Sequence, residues 1–134
     1  MPKIAAVVVT YNRKDLLLEC LSCLQNQNFS DASQACETSL DILVIDNAST
    51  DGTSKALKPL ANTKQILYFN TGSNLGGAGG FNYGMRKAVE LGYDYVWVMD
   101  DDCMPHEDTL LGFLNADTEL DGEYGYLSSV CRWI

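Results

Sequence analysis

Basic residues are scarce. The 134 residues hold 9 Lys and Arg against 18 Asp and Glu, a formal net charge of −9. Nucleic-acid binders neutralise phosphates with a basic face, and docking on an anionic lipid surface needs the same, so neither class fits this segment. The shortage is sharpest in the second half, where eleven acids from Glu90 onward face a single base, Arg132. Phosphate met by that half needs a metal cation between them. Long apolar runs are also missing. No stretch approaches the roughly 18 apolar residues of a membrane span, and no apolar core of signal-peptide length follows Met1, so a secretory leader is not expected. The cysteines lack the even count and regular spacing of a disulfide framework. Cys20, Cys23, Cys36, Cys103 and Cys131 read instead as reduced thiols in a cytoplasmic protein. Cys20 and Cys23 form a C-x-x-C, but no second pair stands at zinc spacing, so they are read as helix packing. Internal repeats, low-complexity tracts and linkers are absent, which makes residues 1–134 one domain, or one piece of a larger one.

What is present is core-forming chain, 46% hydrophobic. The short apolar run at 3–9 reads as a strand buried on both faces, 41–46 as a second buried strand, and 65–69 and 94–99 as a third and fourth strand. Between them, residues 14–27 carry a broad apolar helical face, a short helix reaches about Leu60, and a glycine-rich stretch from Gly72 to Gly80 opens a helix stopping near Gly92. Residues 28–39 read as a loop. Pro105 sits where a first helical turn begins, with a helix to about Asn115, and residues 124–130 suit a fifth strand. Strands alternating with helices make an α/β fold, a mostly parallel sheet flanked by helices. In such sheets ligands bind beyond the carboxyl ends of the strands. Four polar clusters lie there: Thr10-Tyr11-Asn12-Arg13, Asp46-Asn47, Asn70 to Gly80, and Asp100-Asp101-Asp102.

The triple Asp is the most informative. In extended chain residues i and i+2 face the same side, so Asp100 and Asp102 can meet at one point while Asp101 faces elsewhere. Three adjacent carboxylates repel one another, and a hard cation such as Mg²⁺ or Mn²⁺ relieves that cost while keeping positions open for phosphate oxygens. The bland alternative is a solvated acidic turn. Asp46 can accept hydrogen bonds from a base or a ribose hydroxyl. Ser49 or Thr50 suits the cap of the following helix, with Asp51 at its positive end. Asn74, Gly76 and Gly77 open a helix whose N-terminus attracts phosphate. A dinucleotide fingerprint is rejected, because these glycines follow the third strand, and no Lys-Ser or Lys-Thr pair completes a Walker loop. Arg86 or Lys87 either reaches a diphosphate or decorates an exposed helix face. His106 is read as a surface residue, and Tyr93, Tyr95 and Trp97 as packing.

The motifs Val9-Thr10-Tyr11-Asn12-Arg13, Val44-Ile45-Asp46-Asn47-Ala48-Ser49-Thr50-Asp51-Gly52-Thr53, Asn74 with Gly76–Gly80, and Met99-Asp100-Asp101-Asp102 resemble those of the family 2 glycosyltransferases, in the same order and at similar spacing. The glycine stretch and triple Asp are most similar to the galactofuranosyl- and rhamnosyltransferase branches. The resemblance implies a glycosyltransferase A fold, a nucleotide-sugar donor (UDP- or dTDP-linked), a saccharide or lipid-linked saccharide acceptor, and Mg²⁺ or Mn²⁺ at a D-x-D motif. By position it assigns Thr10, Tyr11, Asn12 and Arg13 to the nucleoside pocket and Asp46 to the pyrimidine base. Asp100 and Asp102 fall to the metal, with Asp100 also near the ribose, and Asp101 fills the variable middle place on the nucleotide side. No residue matches the family's general base, which is expected beyond Ile134. The chain thus looks like the donor-binding part of a longer enzyme, inactive alone, with any contact to the inner face of a membrane made elsewhere. A strand edge near residue 130, with Tyr124, Tyr126, Leu127 and Trp133 beside it, points to self-association. The rivals are a non-catalytic nucleotide-binding module and a phosphorelay receiver. The receiver needs an acid pair after the first strand and a Lys after the fifth, where this chain has Thr10-Tyr11-Asn12 and only Arg132.

Overall fold

A computed structural model describes residues 2–29 and 38–130. Four strands, β1 (Lys3–Thr10), β2 (Ser39–Asp46), β3 (Leu67–Asn70) and β4 (Tyr95–Asp100), alternate with four helices, α1 (Lys14–Gln25), α2 (Thr53–Asn62), α3 (Gly76–Glu90) and α4 (Thr109–Leu120). The strands form one sheet in the order β3-β2-β1-β4, with every pairing parallel. The expected α/β sheet flanked by helices is borne out. Part of the expected loop at 28–39, with Cys36, lies outside the described residues, as do Cys131, Arg132 and Trp133.

The alternation of side chains across the sheet divides the core. Ala6, Val8, Ile42, Val44 and Met99 meet Leu17, Cys20, Leu21 and Leu24 of α1 and Leu57 of α2. The adjacent patch of Ile4 with Leu110 and Leu114 seats α4 beside Trp97. On the opposite face Ala5, Val7, Val9, Leu43 and Ile45 pack against α3 through Ala88. β1 is therefore apolar on both faces, as its continuous run requires. Trp97 stacks edge-on against Phe113, with centroids 5.8 Å apart, and serves packing as expected.

α3 approaches the sheet closely because it presents glycine there. A Cβ at Gly80 would lie 2.6 Å from Val9 Cγ1, and one at Gly84 2.4 Å from Val7 Cγ1 and 2.9 Å from Ile45 Cγ1. The helix ends in a left-handed Gly92 (φ +83), with Gly92 N–H donating to Val89 and Tyr93 N–H to Ala88. This is a Schellman stop at the expected position.

Two expected elements differ. The helix placed from Pro105 to about Asn115 starts at Thr109 and runs to Leu120. Residues 103–108 instead stay outside the helix beside the segment that follows α1, where the Gln27 amide donates to His106 O at 2.7 Å and accepts from Leu110 N at 3.0 Å. Asn28 N–H also donates to Glu107 O. Those backbone groups are satisfied by Gln27 and Asn28 and need no helical partner. Residues 124–130 form no strand. The Tyr124 hydroxyl donates to Asp117 at 2.6 Å, folding the segment back on α4, and Tyr126 and Val130 are left exposed.

The glycine contacts carry a prediction. Gly84→Ala forces a methyl group into Val7 and Ile45 and should lower stability by about 1–3 kcal/mol, the usual cost of overpacking. Gly112→Ala, in α4 with no atom within 4 Å of its Cβ position, should raise stability by up to about 1 kcal/mol through helix propensity. Urea unfolding of both variants checks the pair; equal effects would remove the close-approach argument.

Candidate nucleotide and metal site at the strand ends

The register aligns the polar clusters. Asp46 pairs with Thr10 on one side and Asn70 on the other, and Asp100 pairs with Val9 one step earlier. All four clusters thus meet along one edge of the sheet.

The acidic triplet divides by burial. Asp101 is buried, accepting the Thr10 hydroxyl at 2.8 Å and Arg13 Nη1 at 3.3 Å. Asp100 and Asp102 are exposed, and Asp102 Oδ2 lies 3.4 Å from the same Arg13 Nη1. Asp101 is set apart from its neighbours by burial, but its carboxylate shares one Arg13 nitrogen with that of Asp102, so the two are not on opposite sides as strand alternation predicts. β4 ends at Asp100 and the chain turns, with Cys103 N–H donating to Asp100 O at 3.1 Å. Among the described residues no group of three or more His, Cys, Asp or Glu side chains gathers around one point. Two exposed hard-oxygen donors suit Mg²⁺ or Mn²⁺, which complete their shells with water and phosphate oxygens.

Asp46 is fully buried. One carboxylate oxygen accepts Ser49 N–H at 2.9 Å, and the other accepts the Tyr68 hydroxyl. Burial, and then the Asp46 contact, raises the Tyr68 pKa. A carboxylate has about four lone-pair positions, so two partners leave capacity for a ligand donor. Tyr68 was missed in the sequence, where it reads only as an apolar strand residue.

The β1–α1 and β2–α2 loops are zipped together. Asn12, at φ +50, donates its N–H to Ser49 Oγ at 2.9 Å, and its side-chain oxygen accepts Thr50 N–H at 2.7 Å. Asp51 reaches both helix starts: Lys14 N–H donates to it at 3.0 Å, and the Thr53 N–H at 3.2 Å. The Thr53 hydroxyl donates to it as well. The expected Ser49 or Thr50 cap is therefore corrected. Gly52 (φ +88) stands at the N-cap of α2, the Ser49 and Thr50 groups serve Asn12, and Asp51 supplies the capping oxygen. The Thr53 hydroxyl, first, and the Lys14 and Thr53 amides hold the Asp51 carboxyl below its ordinary pKa.

The N-terminus of α3 is tied in by Asn47, whose amide donates to Gly76 O at 3.1 Å and accepts the Thr71 hydroxyl at 3.2 Å. Asn74 Oδ1 accepts Gly76 N–H at 2.9 Å, and Gly76 sits at φ +74. Gly77 has open space around its Cβ position. Tyr11 is exposed beside Arg13. Arg86 lies on the exposed face, its Nε bonded to Asn82 at 3.0 Å. Ten residues past Gly76, it stands roughly 15 Å along the helix axis. Lys87 turns to the Phe69 and Tyr83 rings and Glu90. His106 is exposed.

Cys20 packs in the core as expected, its thiol 4.0 Å from Asp100 O and its pKa pushed up to about 12, mainly by burial. An open groove of about 620 Å³ lies beside the strand ends, between α2 and Tyr68, and is lined by Lys55 and Lys58 among others. None of the four clusters lines it, only the Ser49–Gly52 turn that follows Asp46-Asn47. It holds no carboxylate, so the candidate site remains the row at the strand ends.

The loop zipper predicts an acid-sensitive bond. Asp51→Ala should cost about 1 kcal/mol, as for other helix caps. Because the folded carboxyl titrates below its ordinary value of 3.8, its contribution is complete above that pH and fades as the pH falls through the folded pKa. Denaturation midpoints of wild type and variant should converge as the pH falls below 3.8; a gap unchanged with pH would contradict it.

Residues 5–123 match the family described as Glycosyl transferase family 2. The galactofuranosyltransferase GlfT1 of Mycolicibacterium smegmatis is 34% identical over 113 residues, which is 83% of this chain and 33% of that protein. The GalNAc(5)-diNAcBac-PP-undecaprenol beta-1,3-glucosyltransferase of Campylobacter jejuni is 34% identical over 76% of this chain and 30% of its own length. The mannosyltransferase PcManGT from Pyrobaculum calidifontis, solved with GDP-Man and Mn²⁺, superposes with a TM-score of 0.68 at 29% identity, covering 89% of this chain and 32% of that one. The chain thus spans about a third of the length of these relatives. The parallel sheet, its helices and this superposition identify a glycosyltransferase A fold, and with the family match over most of its length the chain belongs to glycosyl transferase family 2.

Proposed function

We propose that this chain is the donor-binding part of a metal-dependent inverting glycosyltransferase. It takes a UDP- or dTDP-linked hexose, of galactofuranosyl or rhamnosyl type, and passes it to a saccharide or lipid-linked saccharide acceptor in cell-surface glycan synthesis. The observation that carries this reading is the single row of Asp46, Thr10 and the Asp100–Asp102 turn at one sheet edge. The named activities of the relatives support glycosyl transfer, and the Mn²⁺ of the mannosyltransferase complex supports the metal.

In this reading Asp100 and Asp102 hold Mg²⁺ or Mn²⁺. When bound, the ion offsets the charge that develops on the departing diphosphate. Asp46, braced by Tyr68 and Ser49, accepts the imide N–H of the pyrimidine. Asn12 and Thr10 fix the floor of the nucleoside pocket, with Tyr11 and Arg13 at its rim. Gly77 presents its backbone N–H toward phosphate, next to Gly76, whose own N–H is held by Asn74, and Arg86 stands farther along the same helix. Asp101 supports the turn from below. The acceptor hydroxyl attacks the anomeric carbon in line with the leaving group, forming one C–O bond as the other breaks. A base takes the hydroxyl proton. That base and the acceptor surface belong to the two thirds of the relatives' length not spanned here. No described helix is long and apolar enough to cross a membrane. We place the enzyme in the cytoplasm, with any contact to the inner membrane face made through other parts. The exposed Tyr126 and Val130 and the open β4 edge favour self-association of this piece.

The test is a thermal-shift series. Mn²⁺ with UDP should stabilise the chain more than either alone, by about 2.7 kcal/mol at a hundredfold excess over Kd. Asp102→Ala should abolish the extra shift; equal shifts in wild type and variant would sink the metal assignment. UDP and TDP should bind about ten- to a hundredfold tighter than GDP, the worth of one charge-assisted hydrogen bond. A titration in which GDP matched both would refute the pyrimidine pocket.

A further inference from the structure

One guanidinium nitrogen serves two carboxylates that differ in kind. Arg13 Nη1 lies 3.3 Å from Asp101 Oδ1 and 3.4 Å from Asp102 Oδ2, and the two acid side chains are 5% and 54% exposed. The inner bond is hard to give up, since a buried carboxylate that loses its cation is strongly destabilised. The outer bond is cheap, because water replaces a partner readily at an exposed carboxylate. The backbone beneath Arg13 is fixed. Asn12 is bonded on both sides to the β2–α2 loop, Lys14 N–H is capped by Asp51, and Arg13 O accepts Leu17 N–H at 2.9 Å. Movement is confined to the side chain, which is itself half exposed.

The charge pattern gives this arrangement its purpose. From Glu90 to the end the chain supplies only Arg132, so the cation that steadies the acidic turn comes from the start of α1, just after the neighbouring strand β1. It occupies one of the two exposed carboxylates that the donor-binding reading gives to the metal.

We propose that Arg13 is an exchangeable place-holder. It neutralises Asp102 in the metal-free protein and yields that carboxylate when Mg²⁺ or Mn²⁺ binds. Still hinged on Asp101, it then turns its remaining N–H donors to the diphosphate of the donor. The proposal rests on the donor-binding reading above and adds a coupling to it. Metal alone must displace Arg13 and binds weakly, whereas metal with a nucleoside diphosphate gains Arg13 as a ligand-binding group. A guanidinium has five donors, enough to keep one carboxylate and take a phosphate oxygen.

The experiment uses Mn²⁺ alone and Mn²⁺ with UDP, with affinity read from the electron-paramagnetic signal of free Mn²⁺, so no sugar transfer is needed. Arg13→Gln should bind Mn²⁺ alone about two- to fivefold tighter than wild type, the release of an exposed ion pair. Its gain in Mn²⁺ affinity from UDP should shrink by about ten- to a hundredfold, the loss of a charge-assisted bond. Opposite signs for the two readouts mark an exchanging residue. A merely structural tie to Asp101 would weaken both, and that result, or an unchanged Mn²⁺ affinity, overturns the proposal. Side-chain ¹⁵N spectra of the wild type provide a measurement independent of the variant's folding, with the Arg13 Nε–H signal identified by its loss in Arg13→Lys. Mg²⁺ should shift that signal, and UDP should then slow its exchange with water. A signal unmoved while Mg²⁺ binds also overturns it. If wild type binds Mn²⁺ neither alone nor with UDP, the donor-binding reading has failed and the place-holder falls with it; failure confined to the Arg13 readouts leaves that reading standing.

Discussion

β1 pairs in parallel with β2 on one edge and β4 on the other, and both of its faces are covered by helices. A strand so enclosed cannot slip by one residue without exchanging its two apolar faces, and both faces are filled to contact. Its end is therefore a fixed point. Thr10 closes the strand, and its hydroxyl takes the first carboxylate of the turn that follows β4. Asp46 stands level with it across one ladder and Asn70 across the next. The chemistry of the site is thus placed by sheet register, with loops acting only over the last few ångströms.

Those loops hold their shape through side chains that serve backbone groups. Asn12, Asn47 and Asp51 each accept from, or donate to, main chain of another segment, and Asp46 accepts Ser49 N–H in the turn that follows it. No buried side-chain nitrogen or oxygen among the described residues lacks a partner. A polar rim satisfied in this way is pre-organised, since little reordering remains when a ligand arrives. It also costs the ligand some partners. Asp46 and Asp102 are already engaged, so any ligand that uses them shares or displaces what is there.

Much of this was legible in the sequence, and the rest was hidden for physical reasons. The four strands were legible because each is a short apolar run, continuous and fully buried in β1 and half-exposed in β3 and β4, and the clusters because each follows such a run. The start of α4 was misplaced because Pro105 is acceptable both in a first turn and in the irregular segment held by Gln27, a contact across 79 residues. The strand at 124–130 failed because alternation marks a strand only where a partner edge takes its backbone groups. The glycine-rich stretch was read as opening a helix toward phosphate, yet Gly80 and Gly84 make room for the sheet. Sequence alone does not separate those uses of a missing Cβ. The loop zipper was invisible for a similar reason: Asn12 and Thr50 are 38 residues apart, and each alone reads as a turn former. Strand alternation did not describe the acidic triplet, because β4 ends at Asp100 and the turn after it brings Asp101 and Asp102 to one Arg13 nitrogen while burying Asp101 on the Thr10 hydroxyl.

The contact between α3 and β1 has a consequence for how the protein can change over generations. Every codon change away from glycine adds at least a methyl group, and at Gly80 and Gly84 that methyl group meets Val9 or Val7 well inside contact distance. The smallest heritable step is already too large, and a compensating change in the valines must come together with it. Gly77, in the same helix but with open space around it, carries no such steric barrier. Drift in this helix is therefore channelled to its outer surface and first turn, leaving the inner seam to change only by paired substitution.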